Sequence, residues 1–447
     1  MKNKKIIFVF CILYSSLCSK AQLGETAFHL NSSFNHTVSN PLIRYSENYN
    51  TTIAYYEKNF RGIFVIYNDL LPINDTIELP FNCYVLDFEI LNGLIYFCGQ
   101  RANSSISSDA IVGKFDFLTY VNTLGNTILM NIDIIPLPRD ICKLEKMVVY
   151  NYYNNQTQIL EPLVMAIGYG GNFNMDDMTY DQDAYFFIAR NMTNSLVWTE
   201  ELTQRFYDIV ETDNYVILVG TELNPPFPNP IGFKKLRKDN PLSNIKDVFH
   251  VCYLREPEPL TFVLAENIQG TDIFVTSTHA LIGGREGTVV RCFNAETMKM
   301  INSQFVPSYW GKTQPYELQH IHGTDTLLIL QGYTDAIEPM ILYINYNEQN
   351  NYITPFEYYV GFDFYSIDKY YKKGYIATGY SASNPVYLIR DVNQDVVCVI
   401  QEYFEVEIIP NHTLKSNNDL LNIAPCNSTT IFTSFTSSSA NFTTDCP

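Results

Sequence analysis

The chain has 447 residues, 46% of them hydrophobic and only 17% charged, with 33 Tyr and 29 Phe, which is ample for a large core and excludes a disordered chain. A formal net charge of −18 argues against nucleic acid as a partner, because phosphate contact needs a basic surface. Many of the apolar residues are β-branched or aromatic, which suits pleated, half-buried strands.

Lys2, Lys4 and Lys5 precede an apolar stretch from Ile6 to Tyr14, and Ser19-Lys20-Ala21 offers a small-residue cleavage site before Gln22. This pattern predicts a signal peptide over residues 1–21 and a secreted, extracellular or cell-envelope location after cleavage near Ala21. Leu17 before Cys18 disfavours lipidation, and no later run approaches the ~20 apolar residues of a membrane span. Cleavage would remove four lysines and no acid, taking the charge from −18 to −22. Eight cysteines would remain in a disulfide-permissive compartment. Cys426 and Cys446 are the expected bridge, since it would tie down a Ser/Thr-rich tail. The others are read either as further disulfides or as small buried apolar residues. Ten Asn-x-Ser/Thr sequons, beginning at Asn31, Asn35, Asn50, Asn74, Asn103, Asn155, Asn191, Asn411, Asn427 and Asn441, would mark surface loops in a eukaryote.

In chain order, residues 22–41 read as an extended lead-in. Thr51 to Lys58, Gly62 to Tyr67 and Thr76 to Leu79 are strand candidates. Tyr84 to Gly99 is a hairpin turning at Asn92-Gly93, followed by strands from Asp109 to Phe117 and Thr127 to Ile132. Similar units follow through Pro162–Gly168, Tyr207–Asp239, Ala265–Phe293, Leu327–Ile344 and Gly374–Val406. The second strands of these units end at Gly99, Gly168, Gly220, Ser277, Gly332 and Gly379, separated by 47 to 69 residues. A repeat of about 40–50 residues with four strands per unit points to a β-propeller, here with long loops. The glycine is expected to let the chain bend beside a neighbouring backbone. The predicted fold is therefore all-β, a β-propeller of four-stranded antiparallel blades over residues 42–425. Six units are visible, and strand candidates at both ends predict a seventh blade completed from the two termini; six blades is the alternative. Residues 426–447 form a Ser/Thr-rich tail that closes or packs on the propeller. One or two β-sandwiches are the competing architecture.

The run from Asp183 to Asn224 combines an Asp-led strand, a turn, an outer strand with Trp198 and an inner hairpin ending on Gly220. It resembles the repeats of exported bacterial β-propellers, and the likeness extends from Tyr84 to about Phe404. It implies the fold and no activity.

Loops after the second strands are rich in Asn, Asp, Gly and Tyr, which suits hydrogen bonding and ring stacking. Tyr169, Tyr180, Tyr333 and Tyr380 are the candidate ligand-binding residues, with an extracellular glycan, peptide or protein as the partner. Asp176, Asp177, Asp181 and Asp183 cluster closely enough to hold Ca²⁺, although their spacing departs from the calcium-loop pattern and a solvated acidic loop is the simpler account. No other cofactor is expected. His320 and His322 would share one face of a strand, and polar packing is preferred over zinc. No Gly-x-Ser-x-Gly, His-Glu-x-x-His or phosphate-binding glycine loop is present, and Gly379 to Ser383 fails the first of these at its last position. A non-catalytic binding protein is the expected function. The alternatives are a hydrolase or lyase acting on extracellular polysaccharide and a structural module of a surface assembly. Several acids converging with a His or Arg at the ring axis would favour the enzyme.

Overall fold

The structure, a computed structural model, describes residues 25–30, 40–68, 74–80, 82–104, 106–122, 128–154, 157–174, 179–191, 197–202, 205–221, 231–239, 246–252, 263–335, 339–359, 361–370, 374–381, 384–391, 400–408, 414–420, 424–425, 429–435, 438–439 and 442–444. The chain is all-β. Its sheets are antiparallel apart from one parallel contact, and a six-residue stretch at Phe117–Asn122 is the one α-helix among the described residues. No helix among them is long and apolar enough to cross a membrane.

The first strand, β1 (Glu25–Leu30), falls in the expected lead-in. Four-strand units follow. Unit 1 is β2 (Leu42–Ser46), β3 (Thr51–Lys58), β4 (Arg61–Asn68) and β5 (Asn74–Glu78). Unit 2 is β6 (Cys83–Leu91), β7 (Leu94–Ser104), β8 (Ser107–Asp116) and β9 (Ile128–Ile135). Unit 3 is β10 (Ile141–Asn154), β11 (Ile159–Asn174), β12 (Thr179–Asn191) and β13 (Val197–Leu202). Unit 4 is β14 (Arg205–Glu211), β15 (Tyr215–Thr221), β16 (Ile231–Arg237) and β17 (Lys246–Cys252). Unit 5 is β18 (Val263–Ile268), β19 (Ile273–Ile282), β20 (Arg285–Asn294) and β21 (Lys299–Pro307). Unit 6 is β22 (Thr313–His320), β23 (Thr326–Tyr333), β24 (Met340–Asn345) and β25 (Tyr352–Tyr358). Unit 7 is β26 (Asp363–Tyr370), β27 (Gly374–Ser381) and β28 (Asn384–Asp391), completed by β1, which pairs antiparallel with β28. The remaining strands, β29 (Ile400–Ile408), β30 (Leu414–Leu420), β31 (Ala424–Pro425), β32 (Thr429–Phe435), β33 (Ser438–Ser439) and β34 (Phe442–Thr444), add to outer edges.

First strands of consecutive units lie beside one another from β2 through β6, β10, β14, β18 and β22 to β26, and β26 returns to β2. Between units sit separate apolar clusters. Val216 and Leu218 of β15 pack toward unit 3, while Ile217 and Val219 pack toward unit 5. Period-two alternation with both faces buried explains why this strand reads as an unbroken apolar run. The last cluster joins Ile376 of unit 7 to Ile43, Ala54 and Val65 of unit 1.

Turn chemistry follows the sequence at Asn92-Gly93, where φ values of 53° and 77° give the left-handed pair that a two-residue hairpin loop needs. Several expected loops are instead strand. β7 runs past Gly99 to Ser104, β11 past Gly168 to Asn174, and β19 past Ser277 to a two-residue turn at Gly283-Gly284. β15, β23 and β27 do end within two residues of Gly220, Gly332 and Gly379, so the expected strand end holds there and fails at Gly99, Gly168 and Ser277; each glycine allows a close approach.

That approach is to the first strand of the same unit. A Cβ on Gly99, Gly168, Gly220 or Gly379 would lie 1.8–2.0 Å from the carbonyl oxygen of Tyr84, Lys143, Arg205 or Asp363. In each case the first strand carries a β-bulge there, between Val85 and Asp87, Leu144 and Lys146, Phe206 and Asp208, or Phe364 and Ser366. Unit 6 has its bulge between Pro315 and Glu317, with Gly332 against the Tyr316 ring. β18 pairs without a bulge opposite Ser277, and β2 pairs regularly with β3.

Candidate functional site: an acidic axial chamber

The bulges decide what faces the axis. A bulge inserts one residue and re-aims the next; here the residues just past it are Asp87, Lys146, Asp208, Glu317 and Ser366. Charged side chains two residues further on, or at the matching place in unbulged strands, are Arg44, Glu89, Glu266 and Asp368. Together with Lys369 these groups, Ser366 apart, line a cavity of about 280 Å³.

Four of the acids lock one unit to the next. Asp87 accepts from its neighbour Phe88 N at 3.0 Å and across the unit boundary from Met147 N at 3.0 Å. Asp208 accepts from Ile209 N at 2.9 Å and Ala265 N at 2.8 Å. Glu317 accepts from Ile367 N at 2.8 Å, and Asp368 from Tyr45 N at 2.6 Å. Adjacent first strands share no ladder, so these amides need side-chain acceptors once buried.

Arg44 crosses the chamber between two of these carboxylates, donating Nη2 to Asp87 at 3.0 Å and Nη1 to Glu317 at 2.7 Å. Burial opposes its charge, but Glu317 and Asp87 outweigh it and hold its pKa well above the usual value. Lys146 is held charged in the same way: burial is outweighed by Asp87, Asp208 and Glu317.

Glu89 and Glu266 differ from the structural acids because neither makes a side-chain hydrogen bond among the described residues. Burial pushes both up to about 8. Arg44 partly offsets this at Glu89, and Lys369 at Glu266, while neighbouring carboxylates add to it. Burial raises Asp208 to about 6 against the pull of Lys146, and it raises Asp368 as well. Near neutral pH Glu89 and Glu266 are thus the carboxyls of the chamber most apt to hold a proton, with the charged Arg44 and Lys146 nearby. A protonated carboxyl both donates and accepts, so Glu89 and Glu266 suit a ligand bearing hydroxyl or amide groups.

Tyr169, Tyr333 and Tyr380, the sequence candidates whose side chains are described, do not line this chamber. Tyr169 is half-buried on β11 beneath the Lys143 ammonium, 4.3 Å from its ring centre. Tyr333 is buried, accepts from Gln331 and meets Trp310 edge-on at 5.6 Å. Tyr380 is buried against Tyr56 and Tyr365. Tyr180, Asp181 and Asp183 lie on β12, where only the backbone is described, and Asp176 and Asp177 fall outside the described residues. Among the described residues no three His, Cys, Asp or Glu side chains are arranged to hold a metal ion.

Two further expectations change. β22 ends at His320, whose Nε2 lies 2.8 Å from Thr324 O, while His322 sits exposed in the following turn, so the pair shares no face. Asn191 is no surface sequon: it is fully buried and donates to Tyr152 Oη at 3.0 Å and to Glu161. Cys83, Cys98, Cys142 and Cys292 are buried free thiols, which fits the apolar reading for those four. Cys426 and Cys446 lie outside the described residues.

The chamber left a faint sequence signal in two units. Asp87 precedes Gly99 by the same interval as Asp208 precedes Gly220, so that each acid pairs with the residue just before the glycine, on the far side of the bulge. No protein-family model matches this chain, and no curated protein matches it either.

Proposed function

We propose that this chain is an exported, seven-bladed β-propeller of the kind found among exported bacterial repeat proteins, and that it binds an extracellular ligand at its axis without transforming it. Seven four-strand units in cyclic contact, with β1 completing the last, support the blade count. The basic-then-apolar N-terminus supports export. The observation that carries the binding reading is the axial chamber, where Glu89 and Glu266 face open volume without a side-chain hydrogen-bond partner among the described residues while the other acids are committed to backbone amides. Concave sites with a few convergent polar groups are where ligands bind. Among the ligand classes, a glycan fits best, because its hydroxyls pair with carboxyls able both to donate and to accept.

The test is a glycan and secreted-protein array probed with residues 22–447 and with the Glu89→Ala/Glu266→Ala double variant, which removes both the donor and the acceptor. We expect a glycan ligand whose binding falls at least about tenfold in the variant, the cost of losing roughly one hydrogen bond, with cooperative unfolding kept. Undiminished binding in the variant would move the site to the loop face, where Tyr169→Ala is the next variant to measure.

The convergence of Asp87, Glu89, Asp208, Glu266, Glu317 and Asp368 with Arg44 around one cavity supports a second reading, a polysaccharide hydrolase or lyase. Carboxyls with pKa values pushed apart, Glu89 and Glu266 to about 8 and Asp208 to about 6, are the raw material for an acid–base pair. Release of reducing ends or unsaturated sugars by the parent chain and not by the double variant would establish it.

A further inference from the structure

The strands after unit 7 follow a path of their own. β29 lies between β25 of unit 6, with seven paired residues, and β21 of unit 5, with two. β30 then pairs with β17 of unit 4 over seven residues, and β31 with β13 of unit 3 over two. β32 pairs with β9 of unit 2 over seven, β33 with β5 of unit 1 over two, and β34 with β1 of unit 7 over three. Every pairing is antiparallel. The segment therefore visits each unit once, in the reverse of chain order, and its long anchors fall on units 6, 4 and 2, with short contacts between.

Each unit has its four strands without this segment. What the segment covers is the row of unpaired N–H and C=O groups that every outer strand would otherwise present to solvent, and a bare edge is a template for pairing with another strand. Recognition of this kind rests on the backbone ladder, so it tolerates the Ser-, Thr- and Asn-rich composition of residues 414–444. Only two to five residues join successive strands from β29 to β34, which keeps the segment close to the rim as it passes from one edge to the next.

We infer that the outer rim is a strand-accepting surface whose partner is this C-terminal segment, a strap that folds onto an already complete set of units and can be supplied in trans. The long anchors on β17 and β9 carry most of the recognition, and the two-residue contacts act as guides.

The experiment keeps the full chain for folding and cuts it afterwards. A specific protease site replaces residues 409–413, between β29 and β30. After cleavage the strap should stay with the ring through gel filtration, leave in mild denaturant, and return on dilution. A labelled peptide of residues 414–444 should then bind the stripped ring saturably. The same peptide carrying Thr430→Pro, Phe432→Pro and Ser434→Pro should lose binding, because proline cannot donate to the ladder. Hydrogen exchange should show loss of amide protection on β9 and β17 when the strap is absent, and its recovery with peptide. The inference fails if the cut strap elutes alone under native conditions, if the proline peptide binds as well as the parent, or if β9 and β17 keep their protection without the strap. None of these readouts uses the axial chamber, so the outcome is separable from the ligand-binding reading.

Discussion

Arg44 is the residue on which the chamber's electrostatics turn. It joins Asp87, 43 residues away, to Glu317, 273 residues away, and all three side chains are at most a tenth exposed. Two carboxylates that close to the axis are tolerable because the planar guanidinium satisfies both, a geometry lysine cannot reproduce. Arg44→Met should therefore cost about 3–5 kcal/mol in urea unfolding, the usual penalty for leaving buried charges unpaired. Adding Asp87→Asn and Glu317→Gln should restore a good part of that loss, since removing every member of a buried charge network is far less harmful than removing one. A single Arg44→Met variant within about 1 kcal/mol of the parent would show that water, rather than arginine, screens these acids. Arg44 was invisible as a site residue in the sequence for a plain reason: its partners are set by ring closure, and no local pattern reports a contact spanning most of the chain.

Among the elements, the bulged first strand and its facing glycine form one device. Units with a bulge have glycine opposite or beside it, and β18, which faces Ser277, has none. The glycine allows the bulged carbonyl to approach, and the bulge turns the next side chain to the axis. Gly379→Ala would place a methyl group 1.8 Å from the Asp363 carbonyl oxygen, so the backbone must move. A loss of about 1–3 kcal/mol is expected from such overpacking. Ser277→Gly relieves nothing and should cost no more than about 1 kcal/mol, the entropic penalty of glycine in a strand. Equal effects at the two positions, measured by thermal unfolding, would detach the glycine from the bulge. Here the sequence was legible in part. The glycine period revealed the repeat, and its reading as a site of close backbone approach was sound. It did not show that the strands continue beyond the glycine, as β7 does to Ser104, because a residue's tolerance for close contact says nothing about where a ladder stops. Tyr169, Tyr333 and Tyr380 were placed in loops for that reason and lie on strands.

For the whole molecule, the cyclic contact of the first strands gathers acids around one cavity, and this should be visible in how stability varies with pH. A carboxyl whose pKa is raised on folding holds its proton more tightly when folded. Its contribution is complete below the ordinary value of 4.5 and is lost as pH rises through about 8, for Glu89 and Glu266 alike. Asp208 acts in the same sense between 3.8 and about 6. The groups surrounding Glu89 are Arg44, Asp87, Asp368 and Lys369, and those surrounding Glu266 are Lys369, Glu89, Asp368 and Asp208. His320 works oppositely, since burial lowers its pKa and stability drops as it is forced to charge in acid. The clean measurement is therefore a difference: the unfolding midpoint of the parent against that of Glu89→Gln and Glu266→Gln across pH 5 to 9, where His320 is common to all. The parent's midpoint should fall relative to each variant's as pH rises toward about 8, and the gap should level off beyond it. Parallel curves would mean that both glutamates are ionised and solvated throughout. The axis would then be a water-filled passage, and the ligand would have to be sought on the outer faces of the ring.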